Sequence, residues 1–190
     1  MNRRQFTQTG IAALAAFGLS ACGRKSATQA PAAPALSAAQ AYELAATANG
    51  FAVGPMMAAN TAYVFFDTAC PHCAVLWNSA KPLAAKLRMV WIPVGFLSQQ
   101  STPQGAAILV ASNPAQAMDE NEAKVLGGAR SAPAAADAEA EKKVVANTEI
   151  LKKLGDEGVP LIVYKQAKTG EYGSQSGQMD TPQLAALLGI

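Results

Sequence analysis

The chain has 190 residues, 51% of them hydrophobic but only 6% aromatic, which by length suggests one domain with appendages. Its formal net charge is +2, from 15 Lys and Arg against 13 Asp and Glu, and Arg3 and Arg4 at the extreme N-terminus account for the excess. The remainder is close to neutral, which excludes the electrostatic footprint of a nucleic-acid-binding protein and a polybasic membrane patch.

Residues 1–21 read as an export signal. Arg3 and Arg4 precede an apolar stretch, Ile11 to Gly18, which is far shorter than the ~20 residues a membrane span needs. Arg3-Arg4-Gln5-Phe6 resembles a twin-arginine signal, and Leu19-Ser20-Ala21-Cys22 resembles a lipobox in which Cys22 is diacylated and becomes the first mature residue. The alternative is a plain cleaved signal with an incidental cysteine. A doubly acylated Cys22 would anchor the chain stably to a membrane, inner or outer. Both readings place the mature protein in the periplasm, where disulfides persist.

Residues 22–36 are rich in Ala, Pro, Ser and Gln, with Pro31 and Pro34, and read as a tether. Residues 37–60 read as a helix and lead-in: Ser37 caps a helix over Ala38–Thr47, closed by Asn49-Gly50. Residues 61–190 form the expected catalytic domain. Its first strand, Ala62–Phe66, is apolar throughout, as a strand covered on both faces should be. A helix starts at Cys70-Pro71 and runs to about Leu87, with Pro71 at the first helical position and a kink at Pro82. A second strand spans Arg88–Val94. Helices open at Thr102-Pro103 and Asn113-Pro114, the second stopped by Gly127-Gly128. Ser131 to Ala140 is compositionally simple and reads as a surface segment. A helix over Asp137–Leu154, with a break near Asn147, leads to strands at Leu161–Tyr164 and Glu171–Gln175. Asp180-Thr181-Pro182 opens a last helix to Leu188. The pattern is α/β: strand–helix–strand, a helical insertion, then strand–strand–helix.

There are three cysteines. With Cys22 lipidated, Cys70 and Cys73 remain as a close pair, too few for a disulfide scaffold. At a helix start, Cys70 lies beside unpaired N–H groups and the positive end of the helix dipole. Both favour thiolate, so Cys70 is expected to be an acidic, exposed nucleophile and Cys73 the resolving thiol. His72, the single histidine, would further stabilise the Cys70 thiolate when protonated. A zinc site would need a second pair of ligands, and a cysteine protease or a copper carrier would need a histidine remote from the cysteines. A structural disulfide is the remaining plain reading. No metal and no cofactor beyond the Cys70–Cys73 disulfide is therefore expected. Downstream, Val159-Pro160 stands just before a strand; an ordinary trans bond at a sheet edge is the plain reading, and with the cysteine pair upstream a cis bond is predicted, with Val159 and Pro160 as candidate substrate-binding residues. Asp67 either assists proton transfer to Cys73 or ends its strand; the two readings stay open.

From Thr61 to Ile190 the chain resembles the catalytic domain of the periplasmic disulfide isomerase family, DsbC and especially DsbG. The residues that carry the resemblance are Tyr63-Val64-Phe65-Phe66-Asp67 running into Cys70-Pro71-His72-Cys73, Pro82, Ala106-Ala107-Ile108-Leu109, Asn147-Thr148-Glu149-Ile150-Leu151 with Leu154-Gly155, and Gly158-Val159-Pro160. The resemblance implies a thioredoxin-like fold, a mixed sheet flanked by helices with a helical insertion. It also implies Cys70 as nucleophile, Cys73 as resolving cysteine and Pro160 as the cis-proline. The implied partners are thiol- or disulfide-containing periplasmic proteins and a membrane reductase of the DsbD type, or one of the DsbB type for an oxidase. Two features depart from the family. The separate N-terminal dimerisation domain has no counterpart between Cys22 and the first strand, which predicts a monomer and weakens the case for isomerase activity. The Pro-His dipeptide and Val159 are more like the oxidase DsbA. A DsbG-like reductase or isomerase is the leading expectation, a DsbA-like oxidase the second, and a non-catalytic client-binding module the alternative from another class.

Overall fold

Side chains that close their own helix starts define the elements. Ser37 and Gln40 form a reciprocal capping box for α1 (Ala38–Ala46), and Asp180 and Gln183 do the same for α6 (Thr181–Leu188). Asn113 caps α4 (Pro114–Leu126) and Asp137 caps α5 (Ala138–Lys153). The computed structural model describes residues 36–58, 60–95, 97–129, 137–155 and 158–190. The expected signal, Cys22, nearly all of the tether and most of the simple run from Ser131 lie outside the described residues. One compact unit covers Pro34–Ile190.

Five strands form a mixed sheet in the order β1–β3–β2–β4–β5, with β1 over Phe51–Val53, β2 over Thr61–Asp67, β3 over Arg88–Val94, β4 over Leu161–Lys165 and β5 over Tyr172–Ser176. β2 and β3 run parallel, joined through α2 (Pro71–Ala80), and every other pairing is antiparallel. Helices α3 (Ser101–Val110), α4 and α5 form the insertion between β3 and β4.

Alternation along the central strand sorts the core into two faces. Ala62, Val64 and Phe66 of β2 pack with Leu76 and Trp77 of α2, Met118 of α4 and Leu184 of α6. Phe65 turns the other way, to Ala45 of α1, Leu151 of α5 and Val163 of β4. On the first face an aromatic cluster locks α2 to the sheet. The Trp77 and Trp91 rings meet edge to face at 4.8 Å, and Phe66 joins Trp91 at 6.0 Å.

The elements depart from the sequence expectation in four places. β1 has no counterpart in it, because three residues are too few to show a period; pairing with β3 is what makes them a strand. The active-site helix stops at Ala80 and tightens into a 3-10 turn over Lys81–Leu83, rather than kinking and continuing to Leu87. Pro82 lacks the N–H that would continue the ladder. The insertion's first helix starts at Ser101, with Gln100 at the cap position but no side-chain capping bond, so Pro103 lies within its first turn. Helix α5 runs unbroken through Asn147. The buried Asn147 side chain turns outward from its helix to satisfy other backbone groups, accepting from Asn49 N–H at 2.8 Å and donating to Asn49 O at 2.8 Å and Pro93 O at 2.9 Å.

Candidate active site

β2 delivers the chain to the site. Its last residue, Asp67, is fully buried and accepts hydrogen bonds from Ala69 N–H at 2.9 Å, Leu97 N–H at 3.0 Å and the Ser101 hydroxyl at 2.6 Å. Asp67 thus ties the turn before Cys70 to the loop after β3 and to the start of α3. The Cys70 N–H donates back to Asp67 O at 3.0 Å, which closes the turn.

Cys70 is the N-cap of α2, with Pro71 at the first helical position. Its sulfur does what a capping oxygen would, accepting from Cys73 N–H at 3.4 Å. The sulfur also meets Val159 O at 3.5 Å. The Val159–Pro160 bond is cis. Val159 is half-buried and Pro160 buried. Cys70, Cys73, Pro71, His72, Val159 and Asp67 therefore converge at the start of α2, although Val159 is 89 residues from Cys70. One expected property differs. Cys70 is only 3% exposed, whereas Pro71 and His72 are exposed. Its place as a cap tucks the sulfur under the following turn, so Cys70 is buried where its neighbours are exposed.

The two thiols are driven in opposite directions. Cys70 is lowered to about 7, first by the hydrogen bond from the Cys73 thiol, then by the N–H groups of Cys73 and His72 and the charge of His72, against the cost of its burial. Cys73, with no exposure, is pushed well above the ordinary thiol range by burial first and by Cys70 second. Such an asymmetry is what a nucleophile and a resolving thiol would require. Both cysteines are free here.

The sequence reading missed the residues that frame the pair. Gln178 faces His72, with Oε1 2.7 Å from Nδ1. It is held there by Gly177, whose N–H donates to Pro160 O at 2.8 Å and whose φ of +95° favours glycine. Asn121 of α4 donates to Thr68 O at 3.0 Å. Its neighbour Glu122 is 1% exposed and pushed up to about 8, chiefly by burial. Met118 and Glu122 are four apart, so a charged residue on the apolar face of α4 was the available clue. A cleft of about 710 Å³ opens beside Pro71, lined by Thr68, Ala69, Leu97, Ser98, Gln99, Gln100 and Gln104 among others. Among the described residues, no group of three or more His, Cys, Asp or Glu could hold a metal ion, and no helix is long and apolar enough to cross a membrane.

No family model matches the chain. It is 30% identical over 129 residues to the thiol:disulfide interchange protein DsbG of Pseudomonas aeruginosa, covering 67% of this chain and 50% of that protein. The DsbG of Escherichia coli is 29% identical over 129 residues, covering 67% and 52%. The chain thus spans about half the length of the curated relatives it matches. Among solved structures, ScsC of Proteus mirabilis in a compact conformation superposes with a TM-score of 0.61 at 18% identity, covering 82% of this chain and 80% of that one. The fold is thioredoxin-like, and the sequence is homologous to the DsbG proteins over the matched stretch.

Proposed function

We propose that this DsbG homologue is a periplasmic thiol–disulfide oxidoreductase whose Cys70 attacks a client's disulfide and whose Cys73 resolves the mixed intermediate. The observation that carries the reading is the asymmetry of the pair. Cys70 is lowered to about 7 by three hydrogen-bond donors and the charge of His72, while Cys73 is kept as a buried thiol. The attacking thiolate forms a bond to one client sulfur and expels the other. Cys73 then attacks Cys70, the client leaves with two electrons, and the chain is left as the Cys70–Cys73 disulfide. Val159 O beside Cys70 and the uncharged cleft along Thr68, Leu97 and Gln99, which mixes apolar and polar side chains, suit an extended peptide, which carries its own backbone donors and acceptors.

Reduction of clients is the favoured direction. A nucleophile near 7 matches the reducing thioredoxin class rather than the far more acidic oxidase class. Electrons would then come from a membrane partner of the DsbD type. The Pro71-His72 dipeptide and Val159 support the second reading, a DsbA-like oxidase served by a partner of the DsbB type. The lipobox at Cys22 supports anchoring of the chain to a membrane. Single-turnover reduction of a disulfide-containing peptide tests the proposal. Cys70→Ser should abolish exchange, and Cys73→Ser should accumulate a mixed disulfide through Cys70. Full exchange by Cys70→Ser would overturn it. Client binding that survives loss of both cysteines, with no exchange by the native chain, would favour the non-catalytic module instead.

A further inference from the structure

Two carboxyls, those of Asp67 and Glu122, are buried, and they are held differently. Asp67 accepts from two backbone N–H groups and a hydroxyl. Glu122 has one oxygen, Oε1, at a long 3.4 Å from Asn121 Nδ2, while Oε2 is buried without a hydrogen-bond partner. As an anion, a carboxylate so poorly served is costly to bury; as an acid it is tolerated.

The position of Glu122 is fixed from both sides. Asn121 Nδ2 reaches Thr68 O at 3.0 Å, two residues before Cys70. Trp77 Nε1 of α2 donates to Asp119 Oδ1 of α4 at 2.7 Å, which sets the register of the two helices. The titratable groups that act on Glu122 are Cys70 and Asp67, and Glu122 in turn acts on Cys73. Helix α3 and strand β1, the other elements packed on α4, carry no titratable side chain. Asp119 and Glu120 are exposed, the first paired with Lys81 and the second bonded to Gln116.

Building on the thiol–disulfide reading above, we propose that Glu122 is a positioning residue of the redox couple, acting on the cysteines through charge: its carboxyl takes up a proton when Cys70 becomes a thiolate and returns it when the disulfide re-forms. A dithiol donor brings two electrons and two protons. The Cys70–Cys73 bond breaks and a bond forms between the donor's sulfurs. Cys73 keeps one proton as a thiol, Cys70 is left as a thiolate, and the second proton resides on Glu122. Oxidation runs the same balance backwards. Burial first, then the charges of Cys70 and Asp67, raise the carboxyl to about 8, which puts its titration in the range where Cys70 itself ionises.

The test is the redox equilibrium of the full chain with glutathione, followed from about pH 6 to about pH 9, in the native protein and in Glu122→Gln. A glutamine cannot hold the proton. The native reduction potential should fall more steeply with pH than the variant's, by up to ~30 mV per pH unit in a two-electron couple, which is tenfold in the equilibrium constant. Cys70 thiolate absorbance should appear at lower pH in Glu122→Gln, and Glu122→Asp should recover the steeper dependence. Carbon-13 NMR of the Glu122 carboxyl in the native chain gives the same answer without a variant: it should titrate at higher pH in the reduced form than in the disulfide form. A reversible equilibrium with equal slopes, or a carboxyl titration indifferent to redox state, overturns the inference alone. Absence of any reversible equilibrium overturns the thiol–disulfide reading and the inference with it.

Discussion

Cys70 Sγ and the carbonyl oxygen of Val159 stand 3.5 Å apart across a separation of 89 residues. The contact brings the β4 entry loop against the start of α2, so a client sulfur attacked by Cys70 would meet the Val159 backbone at the same time. The Cys73 N–H also donates to this sulfur, at 3.4 Å.

Cys70 should be alkylated as a thiolate. Its pKa is lowered to about 7, first by the Cys73 thiol. The rate of modification of the reduced chain by iodoacetamide should therefore rise through about pH 7 and level off above it, with Cys73 unmodified, as read by mass spectrometry of the two peptides. Cys73→Ser, which removes the sulfur donor, should shift that rise. A rate that climbs only near the ordinary thiol value, ~8.5, would show that these donors do not act on Cys70.

Glu122 should make the reduced chain less stable as pH rises. Its folded value of about 8 lies above the ordinary carboxyl value, so its contribution to stability is complete below about 4.5 and is lost as pH climbs through about 8. Cys70 works the other way, because its folded value is lowered. Its contribution is present above the ordinary thiol range and lost as pH falls through about 7. Urea unfolding between about pH 5 and pH 7 should show a decline on the order of a few kcal/mol, much reduced in Glu122→Gln. An equal decline in both proteins would remove Glu122 as its source.

Asp67→Ala should destabilise the fold by about 3 kcal/mol, since two backbone N–H groups and the buried Ser101 hydroxyl lose a charged acceptor. Thermal melts of the disulfide form would read this, free of any thiol titration. A loss below about 1 kcal/mol would mean that the turn before Cys70 is held by other contacts.

Asn147→Ala should cost about 2–4 kcal/mol, because three hydrogen bonds to Asn49 and Pro93 depend on one buried amide. Urea midpoints of the native and variant chains measure it. Asn147→Asp should recover part of the loss, since one side-chain oxygen can still accept from Asn49 N–H.

The parts of this architecture that rest on local chemistry were legible in the sequence. The strand over Arg88–Val94, the cap at Asn113 and the final helix after Asp180 follow from hydrophobic runs and capping residues, and each appears with nearly those bounds. Phe51–Val53 was not legible, since only its partner strand β3 makes it a strand. Asn147 looked like a helix breaker because its role depends on backbone groups 54 and 98 residues away. At the site, Cys70 and Cys73 announce themselves by spacing, whereas Glu122 and Gln178 belong to it only through packing of α4 and the β5–α6 loop. The burial of Cys70 escaped notice for the same reason: its neighbours in sequence are exposed, and Val159 covers it from a distance.

The most direct test of the central claim is the reduction potential of the Cys70–Cys73 pair in glutathione buffers. A nucleophile lowered only to about 7 predicts one reversible two-electron couple nearer the thioredoxin value, ~−270 mV, than the strongly oxidising value, ~−120 mV. A potential near ~−120 mV would contradict the reducing direction and favour disulfide donation. A pair that never equilibrates with glutathione would contradict thiol–disulfide exchange altogether.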